Sequence, residues 1–407
     1  MSREARYRRW LGLGFIALAQ LMIALDATIV SIALPSAQAA LRVGDSDRQW
    51  FVTAYTLAFG ALLLPGGRLA DQLGRKRAFI AGLTGFALAS LLGGAAPGFP
   101  VLVAARALQG AFAALLAPTA LSILAVTFSD PKERATAFAV WGSIAGSGAA
   151  IGMLLGGALT QYLNWRWCLL VNLPVAAVSA AGATAILKDE PGHRRGALVD
   201  LALTAARVVK DRSRAGTYAT VGLAIAGMLG AYLLLTYHLQ AGLRFTPLQA
   251  GLGFLPITIA SQAGSWLVAR RLATRVAPQL QMAIGALVAG AGLAWLSQAA
   301  AAAGYALGVL PAELLLGLGI STAMVPAFST ATLGVDRRDA GVAAAIVNSA
   351  QQIGGSAGAA LLNALATMLG IQAAAGCGAL LLVLAAIAAA TLVRSARPQP
   401  AGARAVA

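Results

Sequence analysis

The sequence predicts an all-α membrane protein made of two six-helix bundles, and three observations carry that prediction. Of 407 residues, 59% are hydrophobic and only 11% charged, with mean hydropathy +0.78. A soluble domain carries roughly 25% charged residues, and a disordered chain is far less apolar than this. Twelve long apolar runs follow one another with a break after the sixth. The basic residues, which give a formal net charge of +16, crowd into alternate connections between those runs.

A helix needs about 20 apolar residues to cross the hydrocarbon core. Spans are expected at 11–35, 48–66, 78–97, 101–127, 135–160 and 167–187, then at 218–240, 248–269, 280–301, 307–330, 342–369 and 376–394. Open strand edges do not survive in lipid, and these runs are too long for barrel strands, so each is read as a helix. The first is expected to be a span and not a cleaved signal peptide, because it is long and Asp26 interrupts it. The predicted organisation is an N-terminal bundle (1–187), a linker (188–216) that opens with Asp189, Glu190, Pro191 and Gly192, and a C-terminal bundle with a short tail (217–407). Ala197–Val209 reads either as a short amphipathic helix on the membrane surface or as plain solvated linker.

Charge placement sets the expected orientation. Basic residues cluster before span 1, in Arg68–Arg77, at Lys132 and Arg134, in Lys188–Arg214, in Arg270–Arg275, at Arg337 and Arg338, and in the tail. The remaining connections hold only Arg42, Arg48, Arg166 and Arg244. By the positive-inside rule both termini are cytoplasmic, and the high charge needs no nucleic-acid partner. Cys168 and Cys377 lie in apolar runs and read as packing residues, not as a disulfide or metal framework. No nucleophile elbow, phosphate loop or zinc spacing appears, so neither enzymatic activity nor a metal is expected.

Charges within spans are costly and therefore mark candidate function. Three qualify: Asp26, Arg106 and Glu313. Asp26 and Arg106 fall at similar depth, so the two could meet. Burial favours the neutral acid and a neighbouring guanidinium favours the carboxylate, which is the balance a proton-loading group needs. The alternative is a static helix–helix pair. Glu313, early in span 10, reads equally well as a proton site or as an interfacial residue. Tyr55, Gln109, Trp141, Asn172, Tyr237, Gln240, Gln262, Asn348 and Gln351 are candidates to face a substrate cavity, although each alone is more often an interhelical hydrogen bond.

Several stretches are specific enough to carry a resemblance. Gly67-Arg68-Leu69-Ala70-Asp71-Gln72-Leu73-Gly74-Arg75-Lys76-Arg77, between spans 2 and 3, resembles the signature loop of the major facilitator superfamily. Gly67 and Gly74 would permit a tight turn and close helix approach, and Asp71, Arg75, Lys76 and Arg77 would form a charged latch that opens and closes during transport. Leu25-Asp26-Ala27-Thr28-Ile29-Val30-Ser31-Ile32-Ala33-Leu34-Pro35 is similar to the span-1 signature of drug:proton antiporters in the fourteen-span branch. Arg106-Ala107-Leu108-Gln109-Gly110 resembles the span-4 motif whose arginine is implicated in proton transfer. Asn348-Ser349-Ala350-Gln351-Gln352-Ile353-Gly354-Gly355 and Tyr237-His238-Leu239-Gln240 resemble the same branch in the second half.

Two departures stand out. The span-5 antiporter motif survives in its glycines, Gly148, Gly152, Gly156 and Gly157, but Met153 stands where the motif has proline. The segment 188–216 is also too short for the branch's two extra helices, since two crossings need about 40 apolar residues, so twelve spans are expected.

The resemblance implies a proton-coupled exporter of drug-like or antibiotic amphipathic molecules, working by alternating access. Its partners would be that small molecule, protons and the lipid bilayer, with the proton gradient in place of any cofactor. The expected setting is a monomer in a bacterial cytoplasmic membrane. Proton-coupled nutrient uptake on the same fold, or a non-transporting membrane sensor, are the readings it competes with.

Overall fold

The computed structural model describes residues 3–128, 130–187, 198–272, 275–298, 304–332 and 340–393. Each expected span is a helix. In chain order these are α1 (Arg3–Leu41), α2 (Trp50–Leu73), α3 (Arg75–Gly94), α4 (Phe99–Thr127), α5 (Pro131–Tyr162), α6 (Trp167–Leu170) and α7 (Asn172–Ile186). There follow α8 (Leu198–Lys210), α9 (Arg212–Tyr237), α10 (Pro247–Gly253), α11 (Leu255–Leu267), α12 (Pro278–Gln298), α13 (Leu310–Thr332), α14 (Ala340–Leu369) and α15 (Ile371–Leu392). Pairs α6–α7 and α10–α11 each make one interrupted span. Five-residue π-helical turns extend α9 (His238–Gly242) and α11 (Val268–Leu272) and precede α13 (Tyr305–Val309). Ten of the segments are long and apolar enough by themselves to cross a membrane. With α5 and α14, which run 32 and 30 residues through the first and second halves respectively, the architecture is a multi-pass, twelve-span helical protein.

Boundaries moved where local chemistry overrode hydropathy. α1 continues past Pro35 to Leu41, and α9 starts at Arg212, because the Asp211 carboxylate caps it by accepting from the Arg214 N–H at 2.9 Å. α10 begins with a reciprocal capping box between Thr246 and Gln249. Within the expected linker, 188–197 lies outside the described residues, and 198–210 forms the helix α8.

The packing repeats between halves. In the first, α1 packs on α5 and α7, α2 on α4, and α3 on α4 and α7; in the second, α9 packs on α14 and α15, α11 on α13, and α12 on α13 and α15. The contacts between halves obey the same rule, α2 against α14 and α5 against α10. Two non-glycine residues with positive φ, Arg42 (φ 52) and Arg244 (φ 58), follow the first helix of each half. This is the two-fold repetition of transporters built from related halves.

Small residues set the crossings. A Cβ at Gly110 of α4 would stand 2.3 Å from the Tyr55 carbonyl oxygen on α2; a Cβ at Gly317 of α13 would stand 2.1 Å from the Ile257 carbonyl oxygen on α11. Gly110 and Gly317 therefore mark equivalent positions in the two halves.

The hydrogen bonds that join the halves among the described residues lie from mid-membrane to the end carrying the α1–α2 turn. Arg48 Nε donates to Asn363 Oδ1 at 2.6 Å, and Asn363 Nδ2 donates to the Asp45 carbonyl at 2.9 Å. The Tyr237 hydroxyl donates to Gln38, and Gln240 Nε2 reaches the Ile32 carbonyl at 2.9 Å. Thr56 meets Ser356, and the Ser349 hydroxyl donates to the Gly60 carbonyl at 2.9 Å. That end is closed.

Candidate functional site: a buried acid and its arginine

Asp26 lies near the middle of α1, 15 positions before its last residue Leu41, about 22 Å at 1.5 Å per residue. It is fully buried at 0% exposure, and Arg106 of α4 is 1% exposed. Arg106 Nη1 donates to Asp26 Oδ2 at 2.6 Å. Asp26 Oδ1 accepts from Gln109 Nε2 at 3.1 Å and from Asn172 Nδ2, on α7, at 2.9 Å. Both carboxylate oxygens are thus engaged, which is what allows a charge to be buried at all.

A second layer holds those partners. The Ser90 hydroxyl oxygen on α3 accepts from Gln109 Nε2 at 2.7 Å and from Asn172 Nδ2 at 3.4 Å. Arg106 Nε donates to the Phe51 carbonyl of α2 at 3.0 Å, and its Nη1 also reaches Gln109 Oε1 at 2.9 Å. The guanidinium sits 4.5 Å from the centre of the Tyr55 ring, a cation–π arrangement. Five helices of the N-terminal half therefore meet at one carboxylate. An apolar void of ≈ 10 Å³ adjoins Arg106 between Phe51, Leu102, Trp165 and Cys168, about the size of a single water.

The span-5 glycines position α1 at this site. A Cβ at Gly148 would lie 2.6 Å from Ala24 Cβ, one at Gly152 would lie 2.2 Å from Thr28 Oγ1 and 3.0 Å from the Leu25 carbonyl oxygen, and one at Gly156 would lie 2.8 Å from the Ile29 carbonyl oxygen. Gly157 turns the other way and lets the Pro247 carbonyl of α10 approach to 2.6 Å of its absent Cβ. With all four glycines in close contact, Met153 in place of proline leaves the helix pairing intact.

Several expectations need correction. Gln109 and Asn172 do not face a substrate cavity: both are buried in the N-terminal bundle as ligands of Asp26. Trp141 is a core residue of that bundle. Tyr55 is buried as well, and its hydroxyl has no partner among the described residues. Tyr237 and Gln240 belong to the closed end. Asn348 donates to the Ala344 carbonyl of its own helix at 2.9 Å, Gln351 is half-buried, and Gln262 is exposed. Tyr55, Gln109, Trp141 and Asn172 are thus buried inside the N-terminal bundle, which the sequence could not show because apolar periodicity separates buried from exposed faces but not a bundle interior from a cavity wall. Glu313 is buried, at 0% exposure. Its Oε2 lies 3.1 Å from the Tyr305 hydroxyl, and its Oε1 has no partner among the described residues.

The loop between α2 and α3 is divided in its roles. Gly74 (φ 86) makes the turn. The close approach falls to Gly66 and not to Gly67: a Cβ at Gly66 would stand 2.5 Å from the Ala114 carbonyl oxygen, whereas one at Gly67 would be 3.8 Å from Pro118. Arg75 Nε donates to Ser122 Oγ on α4 at 2.8 Å, and Lys76 Nζ to the Thr184 carbonyl on α7 at 2.8 Å. Arg77 is exposed. Asp71 is half-buried.

Residues 16–359 match the family model of the Major Facilitator Superfamily. The chain belongs to the major facilitator superfamily. This facilitator is 44% identical to a puromycin resistance protein of Streptomyces alboniger, over 88% of the chain and 82% of that relative. It is 33% identical to a cephamycin export protein of Amycolatopsis lactamdurans, covering 84% and 82% of the two chains. It is 32% identical to a lincomycin resistance protein of Streptomyces lincolnensis, covering 88% and 85%. Among solved structures, a bacterial homologue of the human lysosomal transporter Spinster, crystallised inward-facing and unoccupied, superposes with a TM-score of 0.77 over 97% of this facilitator and 98% of that chain, at 15% identity. That last likeness concerns the fold.

Proposed function

We propose that this facilitator is a proton-driven exporter of antibiotic-like amphipathic small molecules. The observation that carries the substrate class is the 44% identity, over almost the whole chain, to a puromycin resistance protein. The energy source is inferred from Asp26, a carboxylate inside an apolar bundle, where ionisable groups are retained for function.

The termini are assigned to the cytoplasm from the distribution of basic residues, so the closed end faces outward. In this conformation Arg106, Gln109 and Asn172 saturate the Asp26 side chain. Protonation of Asp26 would release the guanidinium to Phe51, Gln109 and the Tyr55 ring, loosening the point where α1, α2, α4 and α7 converge. The tight Gly152 contact beside Leu25 would pass that change to α5, which touches the other half through Gly157 and α10.

The test is a susceptibility panel that includes puromycin, in an efflux-deficient bacterial host, followed by export into proteoliposomes carrying a pH gradient. Wild type should raise the inhibitory concentration and accumulate drug against its gradient, and Asp26→Asn should do neither. A wild-type chain that protects against no member of the panel, or an Asp26→Asn variant with undiminished uphill transport, would overturn the proposal.

A further inference from the structure

Glu313 occupies the place in the second half that Arg106 occupies in the first. Counting back four residues from the equivalent glycines, Gly110 on α4 and Gly317 on α13, gives Arg106 and Glu313 respectively. Each side chain therefore projects from the same face of the matching helix at the same depth. The partner, however, is missing. Gly152 packs on the Leu25 carbonyl in α1, and Gly358 packs in the same way on the Ala226 carbonyl in α9; the residue after Leu25 is Asp26, while the residue after Ala226 is Gly227.

The groups around Glu313 are correspondingly poor in charge. α10, α11, α12 and α14 contain no titratable residue in their sequences. α9 brings Tyr232 near it, and the π-helical turn before α13 brings Tyr305. Arg212 and Arg214 are at the far end of α9. No cation faces Glu313 among the described residues.

Hydrogen counting then bears on its protonation. The Tyr305 hydroxyl oxygen lies 2.7 Å from the Gly253 carbonyl oxygen and 3.1 Å from Glu313 Oε2. A phenol has one proton, and a carbonyl has none to give, so the Tyr305 proton goes to Gly253. The bond to Glu313 then requires the proton to be on Oε2. As a neutral acid, Glu313 completes a chain from its own O–H to Tyr305 and on to the Gly253 carbonyl. As a carboxylate it would sit at 0% exposure with no cation, its Oε1 unpartnered, in competition with a carbonyl for one phenolic proton.

We propose that Glu313 is a second proton-binding site, carried as the neutral acid in this conformation and held by Tyr305. Tyr305 is the first residue after Gly304 (φ 62), and its ring packs on Phe245 of the α9–α10 connection at 5.8 Å. Movement of that turn would remove the phenol, admit water as the proton acceptor and let the acid ionise. The role of this proton in transport rests on the exporter reading; the binding itself does not.

Infrared difference titration of the full-length chain in lipid nanodiscs tests the site without any substrate. Wild type minus Glu313→Gln should show a protonated-carboxyl stretch at neutral pH that disappears on alkalinisation. Gln is the isostere of the neutral acid, so the variant should fold. Tyr305→Phe should keep that band but shift it to higher frequency, since the O–H loses its acceptor. Absence of the band from the wild-type difference spectrum, or an unshifted band in Tyr305→Phe, would overturn the proposal. A band that behaves as expected in a chain that exports no drug would sink the exporter reading and leave this site standing.

Discussion

Asp26 and Glu313 are both acids at 0% exposure in the interior of a helical half, yet their surroundings differ in kind. Asp26 has a guanidinium at 2.6 Å and two side-chain amides on its other oxygen. Glu313 has one phenol, which it shares with a backbone carbonyl. The same backbone crossing thus presents a guanidinium paired with Asp26 in one half and an undersupplied acid in the other. Depth within the membrane does not decide which form is buried; the supply of donors does. A pair of related halves can in this way bury two acids in surroundings of opposite kind in one conformation.

The largest effect that would break this comparison belongs to Asp26→Asn. Removing one member of a buried pair strands the other, at a cost of about 3–5 kcal/mol, and the new amide would also point a donor at Arg106. Thermal unfolding in nanodiscs should show that loss, and the double variant Asp26→Asn/Arg106→Gln should recover most of it while remaining inactive in uphill export. A double variant no more stable than the single one would mean that the guanidinium is not what makes the vacancy costly.

Next comes the α1–α5 contact that holds Asp26 in register. Gly152→Leu forces a side chain where a Cβ would already be 2.2 Å from Thr28 Oγ1, and overpacking of this sort costs about 1–3 kcal/mol. It should lower both stability and export, whereas Gly14→Leu, where a Cβ meets nothing within 4 Å, should change neither. Equal effects at the two sites would show that crowding beside Asp26 has no special consequence.

The contrast between the sites also explains what could be read in the sequence. The helices were legible because each had to hide its own backbone from lipid, which leaves a long apolar run. The Asp26–Arg106 pairing was legible because charge in such a run is rare and two charges at one depth invite a partner. The roles of Gln109 and Asn172 were not, since a polar residue on an apolar helix looks alike whether it faces a cavity or a neighbouring helix. Ser90 and the Phe51 carbonyl left no mark at all: serine is common in helices, and a backbone acceptor has no residue type. The assignment of close packing to Gly67 in place of Gly66 failed for a similar reason, because adjacent glycines share a pattern and only the crossing geometry selects one. Equivalence of Arg106 and Glu313 was invisible because the two residues have opposite charge, and it emerged only from the glycines that fix the helix crossings.

Ser90 offers a smaller test. Ser90→Ala removes the acceptor shared by Gln109 and Asn172, leaving buried N–H groups unmet at about 1–3 kcal/mol, with the weaker 3.4 Å bond placing the cost toward the low end. Unfolding should register it, and the pH dependence of export should move, because the two amides that hold the Asp26 carboxylate lose their anchor. An unchanged pH profile would confine Ser90 to packing.

The smallest expected effect on stability is at Glu313, and its smallness is the informative part. If Glu313 is neutral, Glu313→Gln exchanges one uncharged hydrogen-bonding group for another of the same shape, and the amide Nε2 can donate to Tyr305 as the acid did. Replacing a neutral hydrogen bond by its isostere should cost no more than about 1 kcal/mol, several-fold less than Asp26→Asn. The second oxygen has no partner in either form, so no further bond is lost. Were Glu313 instead an ion held by an unseen cation, the same substitution would strand that cation and cost as much as Asp26→Asn. Thermal unfolding of the two single variants side by side in one lipid decides between these: a small loss for Glu313→Gln keeps the asymmetry between the halves, and equal losses would remove it.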